Sequence, residues 1–262
     1  METAKPKAHF IAPELLNPTN PIAVCLIGAG GTGSQVLTGL ARMSHSLQQL
    51  GHAGFDVTLW DDDAVTDANR GRQLFAESEV GLSKAAALIA RTNRFFGTGW
   101  QAVEKPFTPE AATERAAIYI SCVDTAAARF GIAEALSQLD TGTRHADTPR
   151  YWMDFGNSRD TGQVILSTIA EIKQPASEKF LPVASLPRVT EEFMELLLQD
   201  DDADTPSCSL AESLEKQDLY INSVLAQLGC SLLWQLLRQG LTTHRGVFLN
   251  LGDFRSQPLA VG

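Results

Sequence analysis

The chain of 262 residues has four cysteines, Cys25, Cys122, Cys208 and Cys230, and none belongs to a C-x-x-C pair. Their spacing supports no disulfide framework. Five histidines are scattered without metal-ligand spacing, so no structural zinc is expected. No apolar run reaches the roughly eighteen residues of a membrane-spanning helix. The N-terminal residues lead into no signal-peptide core, and a cytoplasmic location without a membrane partner is expected. Positive charge is scarce as well: 21 Lys and Arg face 31 Asp and Glu, a net charge of −10. That balance excludes a broad nucleic-acid-binding face and leaves room for a local basic pocket. No internal repeat is present.

What the chain does have is apolar content, 44%, enough to fill a sizeable core. Short apolar runs alternate with helix-compatible stretches. Strands are expected near 22–27, 55–60, 100–103, 117–123, 151–156, 162–167 and 247–251. Helices are expected near 32–49, 82–96, 125–139, 210–218 and 219–238. The alternation implies an α/β fold with a mostly parallel sheet covered by helices on both faces. One domain over residues 1–262 is expected, with an irregular N-terminal arm over 1–20 and a crossover loop over 171–209. That loop holds Pro175, Pro182, Pro187 and Pro206 and the acidic run Asp200-Asp201-Asp202-Ala203-Asp204, which favours a solvated conformation.

The most informative segment runs from Ile22 to Ser34. An apolar strand ends at Gly28-Ala29-Gly30-Gly31-Thr32-Gly33, and a helix-compatible stretch follows. Strand, glycine turn and helix form a phosphate site. Gly28 permits the tight turn, Gly30 and Gly31 let backbone N–H groups approach phosphate oxygens, and Gly33 lets the helix pack close to the sheet. The helix N-terminus adds partial positive charge. Taken alone, the motif also fits the G-x-G-x-x-G fingerprint of NAD enzymes.

Four further stations choose between these chemistries. Asp61, with Asp62 and Asp63, ends the second strand, where Rossmann-type folds hydrogen-bond a ribose; a solvated acidic loop is the plainer alternative. Asn69, Arg72 and Gln73 supply phosphate ligands that a triphosphate needs and NAD does not. Lys84 stands near a helix start, where a cation opposes the helix dipole unless an anion lies nearby. Asp124 follows the 117–123 strand and suits Mg²⁺, which takes one or two carboxylates plus phosphate oxygens. A helix N-cap is its structural alternative.

Together these residues resemble the ThiF/MoeB/ubiquitin-activating-enzyme family. The resemblance rests on the glycine loop, on Asp61, Asp63 and Val65 with Asn69 eight residues after Asp61, on Arg72-Gln73, on Val80-Gly81 with Lys84, and on Ser121-Cys122-Val123-Asp124 with Arg129. It implies a Rossmann-like adenylation fold that uses Mg·ATP to adenylate the C-terminal glycine carboxylate of a small ubiquitin-like protein. By match, Asp61 binds ribose, Asn69, Arg72 and Lys84 bind phosphates, and Asp124 holds the metal. The segment Cys208–Ser223 is similar to ThiF-like members of the plasmid-associated PRTRC cassettes. A homodimer and a conjugating-enzyme-like partner are further implications.

Two departures from the family pattern stand out. The chain lacks C-x-x-C pairs, and its N-terminal arm lacks the Arg-rich motif that reaches a partner's site; Arg70 is one candidate substitute. Conjugating relatives carry an acceptor cysteine in the crossover loop, and Cys208 occupies that place. A helix N-terminus lowers a thiol's pKa, and the neighbouring acids oppose the effect. Cys25, Cys122 and Cys230 read as core. Two competing functions remain: an NAD(P)-dependent oxidoreductase, and adenylation of a peptide or small carboxylate.

Overall fold

Strand 22–27 is apolar at every position, as a strand buried on both faces should be. The computed structural model describes residues 5–108, 116–139, 141–142, 147–200 and 217–262. In chain order its elements are β1 (Lys7–Phe10), β2 (Ile22–Ile27), α1 (Gly31–Gln49), β3 (Phe55–Trp60), α2 (Lys84–Phe96), β4 (Gln101–Val103), β5 (Ile118–Ser121), α3 (Ala126–Ser137), β6 (Tyr151–Asn157), β7 (Thr161–Thr168), β8 (Leu181–Pro182), α4 (Val189–Glu192), α5 (Met194–Asp200), α6 (Ile221–Gln239), β9 (Leu241–Thr242), β10 (His244–Asn250) and β11 (Arg255–Ala260).

Among the described residues the main sheet has eight strands, in the order β11-β10-β7-β6-β5-β2-β3-β4. The β4, β3, β2, β5 and β6 strands run parallel. The β7, β10 and β11 strands extend the sheet in antiparallel fashion. Alternate side chains of each central strand enter opposite cores. Val24 and Leu26 pack in the core that includes Leu37 and Leu40 of α1, Leu88 of α2 and Leu233 of α6. Cys25 and Ile27 enter the other, with Ile132 and Leu136 of α3, Val189 of α4 and Leu197 of α5. A Cβ at Gly39 would strike the Cys230 sulfur, so α1 and α6 approach closely. No helix among the described residues is long and apolar enough to cross a membrane.

Two expectations need correction, and one strand was not expected. The N-terminal arm is not irregular throughout: β1 pairs parallel with β8 and antiparallel with β9. Its anchors lie far away in sequence. His9 Nδ1 is 2.7 Å from the Val183 carbonyl oxygen, and Nε2 is 2.9 Å from the Tyr151 hydroxyl. Strand β11 was not foreseen, because Arg-Ser-Gln-Pro-Leu-Ala has no apolar alternation; it forms an exposed edge, where Pro258 is tolerated. The crossover segment contains β8, α4 and α5 up to Asp200. Its remainder, with Cys208, and most of the expected 210–218 helix lie outside the described residues.

Candidate functional site

A cavity of about 600 Å³ opens at the C-terminal ends of β2, β3 and β5. Gly28, Gly30 and Gly31 line it. Gly28 has φ +95°, and a Cβ there would sit 2.6 Å from the Cys122 carbonyl oxygen. Gly30 precedes α1 with open space around it. A Cβ on Gly31 would meet the Asn222 side chain at 2.6 Å. Gly33 lies behind the loop, where a Cβ would collide with the Gly28 carbonyl.

Asp61 ties this loop to β3. Its Oδ2 accepts from the Ala29 N–H at 2.6 Å, and its Oδ1 accepts from the Asp63 N–H at 3.1 Å. Burial raises the pKa of the Asp61 carboxyl; the Ala29 N–H and Lys84 oppose that shift.

Lys84 also lines the cavity, at the first position of α2. The helix starts here rather than at Leu82, because Leu82 still pairs backward: Val65 N–H donates to its carbonyl at 2.8 Å. The Lys84 N–H donates to the Asp63 carbonyl at 2.9 Å, and Nζ lies 2.7 Å from Asp63 Oδ2. The anion expected near this lysine is therefore present in the chain itself.

Arg72 and Gln73 follow a 3-10 turn over Asp67–Asn69 and reach the cavity wall. An Arg72 Nη1–H donates to Gln217 Oε1. Arg72 Nε and Gln73 Oε1 are buried and have no hydrogen-bond partner among the described residues. Burial also lowers the Arg72 pKa. Asn69 is not among the lining residues; its Oδ1 accepts from the Thr66 N–H at 2.8 Å and caps the turn. Arg70 pairs at the surface with Asp67 and Glu77 and does not line the cavity.

Asp124 lines the cavity from the loop after β5 and is exposed. The N-cap of α3 is Thr125, whose Oγ1 accepts from the Ala128 N–H at 3.2 Å. The capping alternative for Asp124 therefore fails, which leaves its carboxylate for another use.

Several wall residues were not foreseen from sequence. Thr32 Oγ1 donates to Asn222 Oδ1 at 2.9 Å, and Asn222 Nδ2 donates to Gln217 Oε1 at 3.1 Å. Trp60 and Phe107 form an edge-on aromatic pair on the wall, with centroids 5.7 Å apart. Cys122 also lines the cavity and is only partly buried; burial of its thiol and nearby Asp154 raise its pKa. Cys25 is buried as expected, and burial pushes the Cys230 thiol up to about 12.

A mostly parallel sheet with helices on both faces and a glycine-loop cavity at its strand ends defines a Rossmann-like α/β protein. The chain belongs to the ThiF family, whose model matches residues 8–242. No curated protein matches it. Solved structures share the fold at low identity. A selenomethionine crystal structure of PaaA is 15% identical with a TM-score of 0.59, aligned over 95% of this chain and 65% of that one. E. coli MccB with succinimide is 13% identical with a TM-score of 0.58, over 95% and 66%. E. coli MccB with ATP is 14% identical with a TM-score of 0.57, over 95% and 65%. The chain thus spans just under two thirds of the length of these chains.

Proposed function

We propose that the protein is an adenylyltransferase that activates a C-terminal carboxylate with Mg·ATP. The observation that carries this reading is Arg72. Its guanidinium sits on the wall of the glycine-loop cavity, and its buried Nε has no hydrogen-bond partner among the described residues. A phosphate oxygen satisfies such a donor and restores the favourable charge environment that burial removes. An NAD site gives no reason for this arginine beside Lys84.

In this reading the backbone of Gly28, Gly30 and Gly31 lies against the phosphates, and Arg72, Gln73 and Lys84 hold their oxygens. Asp61 serves both the loop and the ribose. Asn69 acts through the turn that presents Arg72 and Gln73. Asp61, Asp62, Asp63 and Asp124 all line the cavity. Among the described residues no cluster of three or more metal-ligating side chains exists, so a divalent ion here needs phosphate oxygens as ligands, which suits Mg²⁺. Asp124 is the carboxylate assigned to it. Bound there, Mg²⁺ would neutralise charge on the triphosphate.

A substrate carboxylate oxygen attacks the α-phosphorus, the bond to the α–β bridging oxygen breaks, and pyrophosphate leaves. The substrate we assign is the C-terminal glycine of a small ubiquitin-like protein. In a second step the Cys208 thiolate attacks the acyl carbon and AMP leaves, giving a thioester. The similarity of segment 208–223 to PRTRC ThiF-like proteins supports this assignment, and a homodimer and a conjugating-enzyme-like partner belong to the same proposal. The whole chain then acts as one cytoplasmic adenylation domain.

Calorimetric titration with Mg·ATP and with NADH tests the reading. Mg·ATP binding that weakens in Arg72→Ala is expected. NADH binding without ATP binding would overturn it. Pyrophosphate exchange with a ubiquitin-like protein, a peptide and small carboxylates then identifies the acceptor class.

A further inference from the structure

The loop that carries Asp124 is held from behind by one buried guanidinium. Arg129, in the first turn of α3, is 5% exposed. Its Nη2 donates to the Val123 carbonyl at 2.6 Å and to the Phe155 carbonyl at 3.1 Å. Its Nη1 donates to the Asp124 carbonyl at 3.4 Å, and its Nε donates to Asp154 Oδ2 at 3.1 Å. Asp154, on β6, is 1% exposed. Its other oxygen accepts from Ser121 Oγ at 2.5 Å, and that hydroxyl accepts from Trp152 Nε1 at 2.7 Å. Both sides of the ion pair are therefore fixed, one by the loop and one by the strands.

Burying an ion pair is a poor way to gain stability, because desolvation offsets the attraction and apolar side chains of similar volume do as well. Among the described residues, three of the four hydrogen bonds of Arg129 end on backbone carbonyls, and two of those belong to Val123 and Asp124. The pattern orients main chain. Gly156 completes it: a Cβ there would stand 3.0 Å from Arg129 Nη2 and would also meet the Gln163 amide.

We infer that Arg129, oriented by Asp154, is a positioning residue that sets the Val123–Asp124 main chain and so places the Asp124 carboxylate for a divalent cation. The inference rests on the nucleotide reading above. A lysine at 129 keeps the charge opposite Asp154 but lacks the planar fork that reaches Asp154 through Nε, the Asp124 carbonyl through Nη1 and the Val123 and Phe155 carbonyls through Nη2. Arg129→Lys therefore separates charge from geometry.

The experiment is ATP binding by calorimetry across a Mg²⁺ series and with chelator, on wild type, Arg129→Lys, Asp154→Asn and Gly156→Ala. Circular dichroism verifies that each is folded. The Mg²⁺ concentration at half-maximal enhancement of ATP binding is expected to rise about 10- to 100-fold in Arg129→Lys, the usual effect of losing an outer partner of a metal ligand. Affinity for ATP with chelator stays at the wild-type value. Gly156→Ala shifts the midpoint in the same direction and serves if the Arg129 and Asp154 variants do not fold. An unchanged midpoint in a folded variant, or an equal loss of affinity with chelator, overturns the positioning role while leaving ATP binding by the wild type intact. Absence of Mg²⁺-dependent ATP binding in the wild type overturns the nucleotide reading, and this inference with it.

Discussion

Lys84 Nζ lies 2.7 Å from Asp63 Oδ2, and the same two residues are joined through their backbones at 2.9 Å. The lysine is almost buried at the positive end of a helix, and the aspartate is 67% exposed. The pair thus brings a cation to the cavity wall and offsets the unfavourable helix dipole there.

Because Asp63 is largely in solvent, its pairing with Lys84 is worth about 1 kcal/mol at most. Asp63→Ala also leaves the nearly buried Lys84 ammonium unpaired at the helix N-terminus, so a loss of about 1–3 kcal/mol is expected in urea titrations, smaller at high salt. Lys84→Met tests the other side of the pair. A hydrogen bond to a charged group is worth about 1.5–3 kcal/mol, so Mg·ATP affinity should fall roughly ten- to a hundred-fold. Unchanged affinity by calorimetry would remove Lys84 from the phosphate site.

Gly28→Ala should destabilise the protein. A side chain in the left-handed region costs about 1–2 kcal/mol, and here the new Cβ also meets the Cys122 carbonyl at 2.6 Å. Urea unfolding should show a loss of about 2 kcal/mol or more. A change near zero would mean that the loop relaxes without strain.

His9 makes stability depend on pH. Val183 O is only an acceptor, so Nδ1 carries the proton and Nε2 accepts from the Tyr151 hydroxyl, which itself accepts from the Ala12 N–H. Burial lowers the His9 pKa below its ordinary value of 6.5. The unfolded chain then binds a proton that the folded chain refuses. This contribution is complete above about pH 6.5 and is lost as pH falls below it. Unfolding free energy measured from pH 8 to pH 5 should decline in the wild type, and His9→Gln should flatten part of that slope. Equal slopes in both proteins would exclude His9 as the source.

Cys208→Ala should separate two half-reactions. Pyrophosphate exchange is expected to persist, because the adenylate forms without the thiol. A reductant-sensitive adduct with the ubiquitin-like protein on a non-reducing gel should disappear. Survival of the adduct in Cys208→Ala would move the acceptor role to another cysteine. If the wild type forms no adduct, the reaction ends at the adenylate.

Local sequence determined the parallel heart of the fold. Buried parallel strands read as short apolar runs, so β2, β3 and β5 were visible within a residue or two of their ends. The glycine loop was equally plain, since its backbone geometry admits little else at Gly28. The order Asp61, Arg72, Lys84, Asp124 along the chain also placed those residues on one cavity, because parallel strands bring their C-terminal ends to one edge. What the sequence did not show were the contacts that span the chain. The arm became a strand through Val183 and Tyr151, more than a hundred residues away. Gln217 meets Arg72, and Asp154 meets Arg129, only after the sheet has formed. Asn69 looked like a phosphate ligand by spacing, yet its amide caps the turn that precedes Arg72. Periodicity records which face a side chain occupies on its own element; the partner it meets there depends on how distant elements pack.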